Sequence, residues 1–123
     1  MTMRSESAAH SYDVSVFQVL TEEAPGDDEN VVEKKVKRML SRRRLGAYDQ
    51  TRIKDLRSLR NELRGEISKF QNSTYYRGTP ERSALEHFDF DRMVADFSKR
   101  YPLVKHPEIG GIVGYAIYYY YLR

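Results

Sequence analysis

The amino-acid sequence predicts an all-α fold: a helical hairpin plus C-terminal helices in a small bundle of about four helices, with an extended acidic N-terminal arm. Three observations predict it. Apolar residues recur at steps of three and four in separate segments between Asn30 and Leu122. Helix start and stop signals bracket those segments. Only one segment alternates as a strand does, and no second one exists to pair with it.

The arm covers residues 1–29 and the helical domain 30–123. Residues 1–10 are small and polar and predict disorder. In Ser11–Leu20, Tyr12, Val14 and Val16 alternate with Asp13 and Ser15, which predicts a lone strand over 12–20 or an arm lying on the helices. Thr21–Glu29 reads as a loop with a turn at Pro25-Gly26.

The first helix starts at Asn30, a capping residue followed by Glu33, and carries Val32, Val36, Met39 and Leu40 on a narrow apolar stripe. Gly46 stops it, after Arg42, Arg43 and Arg44 in a last turn where cations suit the helix dipole. Asp49 caps the second helix. Ile53, Leu56, Leu59, Leu63, Ile67 and Phe70 form its seam, long enough for an antiparallel hairpin or a short coiled coil. Gly65 inside it is either tolerated or a point of close helix contact.

After a loop over Gln71–Gly78, Thr79-Pro80 opens a third helix, with Ser83 and Glu86 as a second capping pair and Asp89 able to cap afresh. Phe88, Phe90, Met93, Val94, Phe97 and Tyr101 form its apolar face, and Tyr101-Pro102 ends it. His106-Pro107 opens the last helix, with His106 expected at the cap. Ile109, Ile112, Val113, Ala116, Ile117, Tyr120 and Tyr121 follow the helical template, and the other side is apolar too, which predicts a helix buried nearly all round. For 115–122 the helix is preferred over a strand.

Composition narrows function. The chain has 123 residues and no cysteine, which excludes disulfides, thiolate metal sites and cysteine nucleophiles. His10, His87 and His106 are scattered, so no metal site, cofactor or catalytic residue is expected. His87 lacks a nucleophile signature nearby, and Gly110-Gly111-Ile112-Val113-Gly114 lacks the order of a nucleotide loop. Gly110-x-x-x-Gly114 instead suits close packing inside one chain. The longest uncharged apolar stretch, Ile109–Leu122, has 14 residues, against the ~20 of a membrane span. No membrane partner and no small-molecule substrate are expected, and with no secretory signal the expected location is the cytoplasm, or the nucleus in a eukaryote.

The net charge of +3 conceals an asymmetry. Residues 1–29 hold one base and seven acids, residues 30–70 thirteen bases and five acids, and residues 71–123 seven bases and six acids. The local charges are therefore −6, +8 and +1. The basic residues Lys34, Lys35, Lys37, Arg38, Arg42, Arg43 and Arg44 continue on the second helix as Arg57, Arg60 and Arg64. They read as a solvated face or as a phosphate-contacting surface. The excess over 41 residues favours carrying the second forward: a non-enzymatic binding and assembly module for nucleic acid or another polyanion. The alternative is a protein–protein adaptor or structural subunit whose basic face meets an acidic protein surface. The acidic arm is expected to screen the basic hairpin. Tyr115, Tyr118, Tyr119 and Leu122 are expected at a homo-oligomer interface, where tyrosine is enriched. Tyr75-Tyr76-Arg77 reads first as a loop anchor.

Overall fold

The computed structural model describes residues 11–24, 26–78 and 86–122. Five α-helices form a bundle: α1 (Tyr12–Thr21), α2 (Glu29–Arg43), α3 (Gln50–Ser68), α4 (Phe90–Arg100) and α5 (His106–Ile117). The chain continues from α5 into a wider π-type turn over Tyr118–Leu122, so 115–122 is helical, as preferred from the sequence. Among the described residues there is no strand, and one isolated antiparallel bridge joins Tyr76 to Phe88. The disorder expected at 1–10 and the helix opening at Thr79-Pro80 lie outside the described residues, as does Ser83 of the capping pair.

The lone strand expected over 12–20 is corrected to a helix. Ser11 caps α1, its hydroxyl accepting from the backbone N–H of Val14. The alternation misled because the polar residues of the pattern are as buried as the apolar ones. Asp13 and Ser15 are each 1% exposed. Both are partnered: Arg52 donates to Asp13 and Arg43 to Ser15. A helix enclosed on most sides shows no amphipathic period, and tertiary burial overrides the strand preference of its valines. α1 packs against α2, α3 and α5, which makes it the central element. Its Tyr12 hydroxyl donates to Ala47 O and accepts from Asp49 N, pinning the α2–α3 connection.

Asp28 rather than Asn30 caps α2. The helix ends at Arg43, short of Gly46, because Arg44 takes the left-handed cap conformation at φ 56°. Asp49 caps α3 as expected. The seam residues Ile53, Leu56, Leu59, Leu63 and Ile67 are all buried, against α1, α5 and the C-terminal turn rather than in a coiled coil. Phe70, read as the last seam residue, is instead about half exposed and rests on the Tyr121 ring. Gly65 faces open space and is merely tolerated.

Asp89 caps α4, and Tyr75 and Tyr76 anchor the loop before it. Arg77 N–H donates to His87 O and Asp89 N–H to Tyr75 O, while the Tyr75 hydroxyl donates to Asp96. Lys105, not His106, occupies the cap position of α5, and the His106 ring meets Ser98 instead. Gly110 and Gly114 seat the Phe90 ring of α4, and a Cβ at Gly111 would lie 3.1 Å from Val14 of α1. The glycine spacing thus serves packing within the chain. Among the described residues no helix is long and apolar enough to cross a membrane.

Candidate polyanion-binding surface

The fold divides the ten basic residues into three groups. The first is a flank of α2. Lys35, Arg38 and Arg42 lie three and four residues apart and so share one side of the helix. With Arg43 they line a groove of about 360 Å³, lined also by Ser15, Gln18, Val19 and Glu22 from α1 and its C-cap and by Tyr115 of α5. Met39 and Val19 add apolar surface to it. Arg43 reaches across it and donates to the Ser15 hydroxyl at 3.1 Å. Glu22 is the one acid among the described lining residues. Lys34 and Arg44 extend the charge beyond the groove and are exposed. Among the described residues no acid forms an ion pair with Lys34, Lys35, Arg38, Arg42, Arg43 or Arg44.

Lys37 forms the second group. It lies on the opposite flank of α2, paired with Glu33 at 2.7 Å and set over the Tyr48 ring. The hydrogen bond it donates to Glu33 raises its pKa, so it stays charged.

The third group is on α3. Arg57 grips Glu23 with two hydrogen bonds of 2.9 and 3.0 Å, and Arg60 reaches the same carboxylate. Arg60 is 6% exposed and also donates to Leu20 O, closing the C-terminal end of α1. It therefore leaves the set of surface contacts: its charge is enclosed and satisfied. Burial pushes the pKa of the Glu23 carboxyl up, and the bonds from Arg57 and Arg60 more than offset this, so Glu23 titrates below the ordinary range. Arg64, with Asp27 and Glu29 across a shallow depression, completes a patch in which acids and bases alternate. Glu23, Asp27 and Glu29 thus balance α3, while Glu22 alone of the nearby acids lines the α2 groove among the described residues.

The C-terminal tyrosines form a ladder. Tyr115 lies 6.0 Å from Tyr118 and 5.9 Å from Tyr119 between ring centroids, and Tyr119 lies 5.3 Å from Tyr120. Tyr118 is 50% exposed, whereas Tyr119 and Leu122 are half-buried. The long face of α5 (Ile109, Ile112, Val113, Ala116, Ile117) is covered inside the chain. His87 is held by Tyr121, its Nδ1 2.5 Å from the hydroxyl.

Sequence reasoning missed the α1 wall. Ser15, Gln18 and Glu22 share one side of a helix, but that spacing is informative only once 12–21 is read as helix, and Ser11 was the signal. Comparison with known proteins found no matching family model, no matching curated protein and no matching solved structure.

Proposed function

We propose that the chain is a non-enzymatic binding module whose α2 face contacts nucleic acid or another polyanion. The observation that carries this reading is the groove lined by Lys35, Arg38, Arg42 and Arg43, with Glu22 the single acid among its described lining residues. Four cations held together without an ion-pair partner among the described residues repel one another, and an external polyanion relieves that repulsion while releasing its own counterions. Three of the four are arginines, whose planar forks match phosphate oxygens in pairs. Such a module acts in the cytoplasm or, in a eukaryote, the nucleus.

Titration against nucleic acid at two salt concentrations tests the reading. Affinity should fall steeply with salt, and Arg38→Gln with Arg42→Gln should flatten the slope by roughly 0.7–0.9 for each phosphate no longer neutralised. Absence of binding at low salt overturns it, and preference for an acidic protein over nucleic acid moves the function to the adaptor reading. Self-association through the C-terminal segment belongs to the same proposal, supported by the half-exposed Tyr118 beside Tyr115, Tyr119 and Leu122. Light scattering that returns a monomer at high concentration removes that part.

A further inference from the structure

We propose that the groove between α1 and α2 takes a single strand of nucleic acid, with an unpaired base against the Tyr115 ring and adjoining phosphates on Lys35, Arg38 and Arg42. This rests on the polyanion reading and narrows it to one class of ligand.

The shape of the basic row comes first. A helix that reads duplex DNA presents its charged side as a ridge that enters a major groove about 12 Å wide. Here Lys35, Arg38 and Arg42 line a cleft, because α1 rises beside them with Ser15, Gln18, Val19 and Glu22. A row set beside a second helix suits a flexible single strand, which can lie along it, better than a rigid duplex. The row from Lys35 to Arg42 spans seven residues of helix, about 10 Å at 1.5 Å each. The groove volume, about 360 Å³, falls within the roughly 300–1,000 Å³ of sites that enclose small organic groups.

The second observation is chemical. A groove selecting for phosphate alone has no use for an aromatic ring, yet Tyr115 lines this one. Bases present a π-face whatever their identity, and stacking on aromatic side chains beside a cationic track is how unpaired strands are held without sequence preference. Tyr118 and Tyr119 stand beside the Tyr115 ring at 6.0 and 5.9 Å between centroids, which restricts its freedom before a ligand arrives. An acidic peptide would engage the cations but leaves the ring without a planar partner. Gln18 is the one lining side chain whose amide can both give and accept a hydrogen bond at a base edge, which fits weak base preference.

The experiment uses the full chain and fluorescence anisotropy at one fixed salt concentration. The probes are a single strand of about 15 nucleotides, the matched duplex, heparin and polyglutamate. The single strand should bind at least about tenfold tighter than the duplex. Tyr115→Leu should weaken single-strand binding by about tenfold and leave heparin binding unchanged, and Tyr115→Phe should keep full affinity. Should Tyr115→Leu fail to fold, photo-crosslinking of a bromouracil-containing strand to the unaltered chain decides: adducts at Tyr115 support the site, and adducts only elsewhere overturn it. Equal affinity for single strand and duplex, with Tyr115→Leu neutral, overturns the inference and leaves the polyanion reading standing. Polyglutamate that competes as well as the single strand also overturns it. Loss of binding to every polyanion removes the reading beneath it.

Discussion

Glu23 and Arg60 meet at 2.5 Å across 37 residues of chain, both almost excluded from solvent. Arg57 shares the carboxylate and Leu20 O shares the guanidinium, so one cluster fastens α3 to the end of α1. Of two arginines that by sequence belong to a basic face, Arg60 is thereby enclosed and Arg57 is half-buried with its fork engaged.

Removing the acid leaves a buried cation without its counter-charge. Glu23→Gln should lower stability at neutral pH by about 3 kcal/mol in denaturant titrations. The pKa of Glu23 is lowered in the folded chain, so its contribution is complete above the ordinary glutamate value of 4.5 and is lost as pH falls through the folded value. Wild-type and variant stabilities should therefore converge in acid. A gap that persists unchanged at low pH would point to packing instead of charge.

Asp13 works in the opposite sense. Burial raises its pKa, Arg52 partly opposes this, and the nearby Glu108 carboxylate adds to the rise. The folded chain then holds a proton more tightly than the unfolded one, and stability declines as pH rises through the raised value. Asp13→Asn retains an oxygen for Arg52 and removes the enclosed charge. It should raise stability at neutral pH by on the order of 1 kcal/mol, with little effect below the ordinary aspartate value of 3.8. Thermal melts of both chains across that range check it.

Arg44 holds a left-handed backbone, φ 56°, at the end of α2. A residue with a Cβ resists that conformation by about 1–2 kcal/mol, and glycine does not. Arg44→Gly should raise the melting temperature while weakening polyanion binding, because it removes one cation beside the groove. The two readouts moving in opposite directions is the expected signature; a fall in both rejects the strain argument.

Gly65 and Gly111 are both helical, yet they should respond differently to alanine. Nothing lies within 4 Å of a Cβ at Gly65, so Gly65→Ala should gain about 1 kcal/mol from helix propensity alone. At Gly111 the same Cβ meets Val14 at 3.1 Å, and the crowding cancels or outweighs that gain. Combining Gly111→Ala with Val14→Ala should give a non-additive result in a double-mutant cycle, since the second change opens the space the first one needs.

Most of the bundle was legible because spacing and capping are local. Asp49 and Asp89 cap where they should, and the seam of α3 and the long face of α5 are buried as their periods require. The central helix was not legible, because what makes Asp13 and Ser15 acceptable in a core is a pair of arginines 39 and 28 residues away. The same holds for the site. The basic run on α2 is visible in sequence, but the wall opposite it and the capture of Arg57 and Arg60 by Glu23 depend on contacts between distant parts of the chain.

The placement of α1 has a consequence for how the protein is made. Its backbone at Asp13 hydrogen-bonds Glu108, 95 residues later, so the pocket for the first helix is finished only after α5 has been synthesised. At about 5–20 residues per second that interval is roughly 5–20 s. During it, Val14, Val16, Phe17 and Leu20 have no complete site, although all end at 4% exposure or less. An apolar helix kept waiting in this way is a target for holdase chaperones and for association between nascent chains on one messenger. Slowing elongation between the codons of α1 and α5 should therefore lower the yield of folded chain, whereas slowing it after α5 should not.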